Sequence, residues 1–255
     1  MDSVPYLTPD GDTIREVSQV RDLGVQMENT GSFESQITHA VKRSTNMSSW
    51  VLRVFKTRRV EPMITLYKSM VLPHLEYCCQ LWSPYLLKDI RRLEAVQRSF
   101  SARIEGLEHL TYWERLEILK LYSLERRRER YIILYAYKII QGIVPNFQDQ
   151  RFALNTYVSV RGDRLCRVPS VSRATRAKII NQVEHSFAIQ GPKLFNCLPA
   201  EIRNFHGAFP AFKAKLDKFL AQVTDQPRIA GYHQPAASNS IIDQLAQMRA
   251  DGVYL

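Results

Sequence analysis

Side chains able to do chemistry are sparse in this chain, and their spacing argues against a catalytic centre. Paired carboxylates are the usual means of holding two catalytic metal ions about 3.5–4 Å apart. The nearest imitation is Asp10 and Asp12, and no two Asp are adjacent anywhere in the chain. These two flank Gly11 and follow Pro9, a composition that suits a tight turn, so turn chemistry is their expected role. His74 and Cys78 stand four apart and could share a helix face, but no second ligand pair lies near them in sequence, and metal ligation is not expected. Cys78, Cys79, Cys166 and Cys197 form no C-x-x-C pair and suit no disulfide framework; reduced and mainly buried thiols are expected. A Cys and His nucleophile pair would need a proximity that spacing does not supply. The reading is therefore of no catalytic residue, no metal and no cofactor.

The cations are more informative. Thirty-five Lys and Arg stand against 25 Asp and Glu, a formal charge of +10, which favours a polyanionic partner such as a phosphate backbone or an anionic lipid surface. Distribution sharpens this: residues 1 to 35 hold two Arg against seven acids, whereas residues 36 to 60 hold six basic side chains and no acid. Those six are Lys42, Arg43, Arg53, Lys56, Arg58 and Arg59, and with no neutralising neighbour in sequence, phosphate contact is preferred for them over mere solubility. Arg126, Arg127, Arg128 and Arg130 form another cluster, interleaved with Glu125 and Glu129. A backbone clamp and a solvated, ion-paired helix face are equally good readings of it. A third group, Arg161, Arg164, Arg167, Arg173, Arg176 and Lys178, sits among Ser, Val and Pro and reads as an exposed loop, a linker or a binding arm.

Membrane insertion is not expected. The longest apolar stretch, Tyr131 to Ile140, is about half a bilayer span and is interrupted by Lys138, as a buried helix face would be. The N-terminus lacks the positive flank and apolar run of a signal peptide, which points to the cytoplasm or nucleus.

The elements that must position these side chains are mostly helices. A β-hairpin is expected from Val4–Thr8 and Thr13–Val17 around Pro9 to Asp12, followed by a strand at Val20–Met27. Apolar residues recur at three and four from Phe33 to Phe55, marking an amphipathic helix that includes Trp50 and carries a basic polar side. A second helix should open at Pro62 and be kinked or broken at Pro73. A third runs from Lys88 to Ile104. Thr111 with Glu114 forms a capping box for a short helix, and Ser123 starts a long one that Gly142 and Pro145 end. A last helix is expected at Phe209 to Val223, with only a short helical pattern at Ile241 to Met248 in a flexible tail. Trp82, Ser83 and Pro84 look like a helix terminator packed by an aromatic, with base stacking by Trp82 the lesser alternative.

Several segments together carry a family likeness. VRDLGVQMENTGSFESQI (20 to 37), LYKSMVLPHLEYCCQLWSPY (66 to 85), LEAVQRSFSARIEGL (93 to 107), the Tyr112 to Arg127 segment, GPKLFNCLPAEIRNF (191 to 205) and FKAKLDKFL (212 to 220) occur in an order that resembles the C-terminal part of reverse transcriptases of LINE-type, non-LTR retrotransposons. The likeness covers most of residues 13 to 220. It implies that residues 1–34 correspond to the primer-grip end of the palm, 35–140 to a helical thumb-like domain, and 141–223 to a C-terminal extension, with 224–255 as the tail. The family holds its metals on a Tyr-x-Asp-Asp turn and an earlier Asp, neither of which matches here, so the chain should not polymerise by itself.

The fold class expected is thus mainly α: a multi-helix, thumb-like bundle with a small N-terminal β-hairpin and a partly irregular C-terminal extension. The function expected is backbone binding of RNA or an RNA/DNA duplex without sequence readout, through Lys42, Arg43, Arg53, Lys56, Arg58, Arg59, Arg126, Arg127 and Arg130. The alternatives are a helical interaction module that leans on a missing palm region or another helical partner, and a relic with no selected activity.

Overall fold

The first strands differ from their sequence pattern. In the computed structural model, which describes residues 6–144, 165–170, 182–226 and 239–253, Leu7 and Thr13 make only an isolated antiparallel bridge around Gly11. The expected single strand at Val20–Met27 is instead folded on itself: β1 (Gln19–Asp22) pairs antiparallel with β2 (Val25–Glu28), Val20 opposite Met27. Leu23 and Gly24 make the turn, with φ of 44° and 86°. Positive φ at both central residues is what lets a two-residue turn match the twist of its strands. The left-handed Leu23 is held from outside, since the Tyr77 hydroxyl donates to its carbonyl at 2.8 Å.

The rest is helical, so the protein is a mainly α bundle carrying a small two-stranded hairpin. Helix α1 (Glu34–Val54) buries Ile37, Ala40, Ser44, Ser48 and Val51 along one stripe. Helix α2 (Val60–Leu66) continues through a π-helical turn (Tyr67–Val71) into α3 (Leu72–Glu76). The helix therefore continues through Pro73, so the expected break is absent, and its irregularity is the π-helical turn just before that residue. A proline has no N–H to give the preceding turn, and the wider turn absorbs the mismatch one step earlier. After α4 (Cys79–Trp82), α5 (Leu87–Ser101) packs against α1. Helix α6 (Tyr112–Leu119) opens with the complete capping box of Thr111 and Glu114, and α7 (Leu124–Ile140) opens with Ser123 Oγ accepting from the Arg126 amide.

Two apolar cores result, and α7 belongs to both. Leu124 joins a first core built from β2, α1 to α6 and the segments between them, whereas Ile132, Ile133, Ala136 and Tyr137 join a second. That second core takes α8 (Phe187–Cys197), α9 (Ala200–Arg203), α10 (Phe209–Leu220) and α11 (Ile241–Ala250). Tyr137 stacks on Phe212 at 3.7 Å between ring centres. Part of the segment expected as a tail is therefore packed structure, since Ile241 and Leu245 are buried in this core. Trp82 is also buried, its indole N–H donating to the Tyr77 carbonyl at 2.7 Å, which leaves no face for a base.

Candidate nucleic-acid interface

Helix α1 presents its cations opposite its buried stripe. Lys42 and Arg53 are exposed and eleven residues apart, about three turns or roughly 16 Å along the same side of the helix. Arg43 lies nearer the α3 side, close enough to His74 that its charge, together with burial and His39, holds the His74 imidazole below its ordinary pKa. Burial is the largest of those causes. Lys56 and Arg59 are exposed in the connector from α1 to α2. None of Lys42, Arg43, Arg53, Lys56, Arg58 and Arg59 forms an ion pair among the described residues.

Arg58 has a different job from its neighbours. Its guanidinium folds back over the C-terminus of α1 and donates to the carbonyls of Phe55 and Leu52, each at 2.5 Å, and of Thr57 at 3.0 Å. A cation over the last carbonyls of a helix satisfies acceptors that have no intrahelical donor and opposes the negative end of the helix dipole. The connector is fastened further by the Glu105 amide, which donates to the Arg58 carbonyl at 2.9 Å. This arginine anchors the loop that displays Lys56 and Arg59, and little of it faces solvent.

A residue the sequence pattern assigned to the apolar stripe belongs with these cations. Trp50 is 39% exposed and meets Phe55 edge-on at 6.1 Å. It sits two turns after Arg43 on the same side of α1. The signal was present in the helical wheel, because Trp50 lies at the edge of the stripe rather than its centre.

The arginines of α7 are placed quite differently. Arg126 has no exposed surface, and its guanidinium donates to the carbonyls of Val223 at 3.2 Å and Thr224 at 2.6 Å, with the Asp225 carboxylate 4.0 Å away. Asp225 itself accepts from the Ser123 amide and hydroxyl, both at 2.7 Å, and so caps the start of α7 from a hundred residues away. Arg127 forms a two-point ion pair with Glu76 on α3. Burial works against the Arg127 charge, but the Glu76 carboxylate outweighs it and raises the pKa. Arg130 meets Asp217 on α10 at 2.5 and 2.7 Å. In this conformation Arg126, Arg127 and Arg130 hold the two cores together, and Arg126 can reach no phosphate. Nor do they form a helix face paired with Glu125 and Glu129, because their acids come from other elements.

Among the described residues no group of three His, Cys, Asp or Glu could hold a metal ion, and none of the helices is long and apolar enough to cross a membrane. Cys78 lies beyond the end of α3 in a left-handed conformation, off the helix face that His74 occupies. Burial pushes the thiols of Cys79 and Cys197 up to about 12 and that of Cys166 up to about 11, so none of these three is a ready nucleophile. No protein-family model, curated protein or solved structure matches this chain. Of the third basic group, Arg167 is exposed, while Arg161, Arg164, Arg173, Arg176 and Lys178 lie outside the described residues.

Proposed function

We propose that this chain is a nucleic-acid-binding piece of a retroelement reverse transcriptase, acting in the cytoplasm or nucleus, which holds RNA or an RNA/DNA duplex by its backbone and does not polymerise alone. The observation that carries the reading is the set of exposed cations Lys42, Arg43, Arg53, Lys56 and Arg59, which have no ion-pair partner among the described residues. Unpaired charge on a rigid helix and its anchored connector is the arrangement that neutralises successive phosphates with little loss of conformational freedom. The ordered sequence likeness to non-LTR reverse transcriptases supports the choice of nucleic acid over an anionic lipid.

If these five cations each neutralise a phosphate, log affinity falls with log salt at a slope near −4.5, or a few hundredfold between 50 and 200 mM salt. A gel-shift titration with an RNA/DNA duplex measures the slope. Replacing the five by Ala should leave at most the weak binding of a neutral surface. A flat salt response in the parent chain, or unchanged affinity in the variant, removes the reading.

A second reading rests on the N-terminal hairpin region. Tyr6, Leu7, Ile14, Val17, Val20 and Leu23 are all exposed, Tyr6 and Leu23 at 82% and 85%. Exposed apolar side chains gathered in one stretch of chain suit an interaction site. A helical interaction module that uses this hairpin region to lean on a palm region or another partner would associate with rising concentration in light scattering and would ignore nucleic acid.

A further inference from the structure

The three tryptophans of this chain stand in different surroundings. Trp82 is buried and its indole N–H is taken by the Tyr77 carbonyl, while Trp113 is partly buried against the first core. Trp50, on α1, is 39% exposed. One exposed aromatic on a helix is ordinary, but its neighbours here are not. Arg43 lies seven residues before it and Arg53 three after, roughly 10 Å and 4.5 Å along the axis, and the helical repeat places the indole between them around the helix as well. Both cations are exposed, neither has an ion-pair partner among the described residues, and residues 36 to 60 contain no acid. Val54, one turn on, is 49% exposed and extends the apolar surface.

The ring is also held in place. Phe55 meets it edge to face, with ring centres 6.1 Å apart and planes at 78°, a contact that covers at most one face of the indole. Phe55 is itself packed against the first core, its N–H bonded to the Val51 carbonyl and its own carbonyl to the Arg58 guanidinium. An aromatic surface whose position is set beforehand loses little conformational freedom when a ligand stacks on it.

We infer that Trp50 is a stacking platform for an unpaired base, so that the preferred ligand of the α1 surface is a duplex with a single-stranded extension. This rests on the backbone-binding reading of the α1 cations and adds to it a group that touches bases. Cations neutralise phosphates in paired and unpaired strands alike, whereas each base inside a duplex has its faces covered by its neighbours. An indole therefore meets a base face where the strand is already open, or at the cost of unstacking a step. Every base has a π face, so the preference is for unpaired bases of any sequence. A protein with an apolar patch is the competing occupant, and the acid-free run of cations around the ring favours the polyanion.

The test uses the full chain and three labelled probes built on one RNA/DNA duplex. The first carries a short unpaired adenine extension, the second the same extension with abasic sugars, and the third the same extension paired to its complement. Anisotropy titrations should give the adenine extension about tenfold tighter binding than the abasic one, whose phosphates are the same, and tighter binding than the paired one. The adenine probe should quench tryptophan emission in the parent, and Trp50→Phe should lose that quenching. Trp50→Leu, apolar but without a π face, should remove the difference between adenine and abasic probes, and Trp50→Phe should keep part of it. The salt slope of the parent on the abasic probe tests the cations separately. No binding or a flat slope there removes the backbone reading and the stacking assignment with it. A normal slope with equal affinity for adenine and abasic or paired extensions, unquenched emission, a difference that survives Trp50→Leu, or a Phe variant no better than the Leu variant would each overturn the stacking assignment alone.

Discussion

Two sets of cations in this chain, on α1 with its connector and on α7, are made of the same residue types and end in opposite environments. Lys42, Arg53, Lys56 and Arg59 stand in solvent without acidic partners among the described residues, whereas Arg126, Arg127 and Arg130 each meet carboxylates or carbonyls brought from elsewhere in the fold. Local acidity would have suggested a different contrast, since Glu125 and Glu129 sit among the α7 arginines and no acid sits among the α1 cations. Yet those local acids are not the partners. Glu76, Asp217 and Asp225 are, at sequence separations of 51, 87 and about a hundred residues. The difference teaches that a basic cluster becomes a free surface or an internal brace according to which side of its helix faces the core. Helix α1 has one buried stripe and a solvated back, while α7 serves two cores and has little side left over.

That contrast can be broken from either end. The largest expected effect is a dependence on pH that belongs to α7 and not to α1. Burial pushes Glu125 up to about 8, with Glu129 the second cause, and burial pushes Glu129 itself up to about 7. Both folded values lie above the ordinary 4.5, so the folded protein keeps protons that the unfolded chain releases. Their contribution is fully present below about pH 4.5 and is lost as pH rises through 7 and 8, on the order of 4 kcal/mol between pH 6 and 9. The urea midpoint should fall over that range, and Glu125→Gln with Glu129→Gln should flatten the fall. An equally steep fall in the double variant would place the titrating groups elsewhere.

Next in size is the effect at Arg126: Arg126→Ala leaves the Val223 and Thr224 carbonyls without their donor and removes the guanidinium beside Asp225, and should lower stability by about 3 kcal/mol in urea unfolding. Nucleic-acid affinity per folded molecule should not change. A variant that loses binding at full stability would move Arg126 from brace to contact.

Smaller again is the effect of Arg58→Ala, which removes a donor from the Leu52 and Phe55 carbonyls at the end of α1 and from the Thr57 carbonyl in the connector. It should lower stability by about 1–2 kcal/mol, with little change in the salt slope of binding. A slope reduced by a full unit would mean that Arg58 reaches a phosphate after all. The smallest change expected is for Lys42→Ala or Arg53→Ala alone. Each should reduce the slope by about one unit and leave the unfolding midpoint within error, and a marked loss of stability would contradict the free-surface reading.

Much of the scaffold was legible from local pattern. The periodicity around Ile37, Ala40 and Val51 located α1 to within a residue or so at each end, and Thr111 with Glu114 announced its capping box because both halves of that motif lie within one turn. Pro73 marked where the helix becomes irregular but not the form this takes, since a π-helical turn in place of a break is not specified by residue type alone. The strand over Val20–Met27 misled for a similar reason: Leu at φ 44° is unfavourable, and it is the Tyr77 hydroxyl, 54 residues away, that holds the carbonyl of that turn. In the candidate interface, exposure of Lys42 and Arg53 followed from the helical stripe, but Arg58 could not be separated from Arg59 by type, and only the fold turns one inward onto the α1 carbonyls.

By itself the sequence determined helices α1, α5, α6, α7 and α10 and the caps at Thr111 and Ser123, but not α8 (Phe187–Cys197), and it showed that an acid-free run of cations occupies the polar back of one helix. These are properties of spacing within a few turns, where a side chain's neighbours are its neighbours in the chain. Tertiary structure decided which arginines of α7 are braced, that Arg58 turns back onto the α1 carbonyls, and that the terminal nitrogens of Arg128 are buried without a hydrogen-bond partner. Each of those depends on which groups the fold brings together or keeps apart, because a charge in solvent needs no counter-ion, whereas one in the core is governed by whatever the packing brings to it.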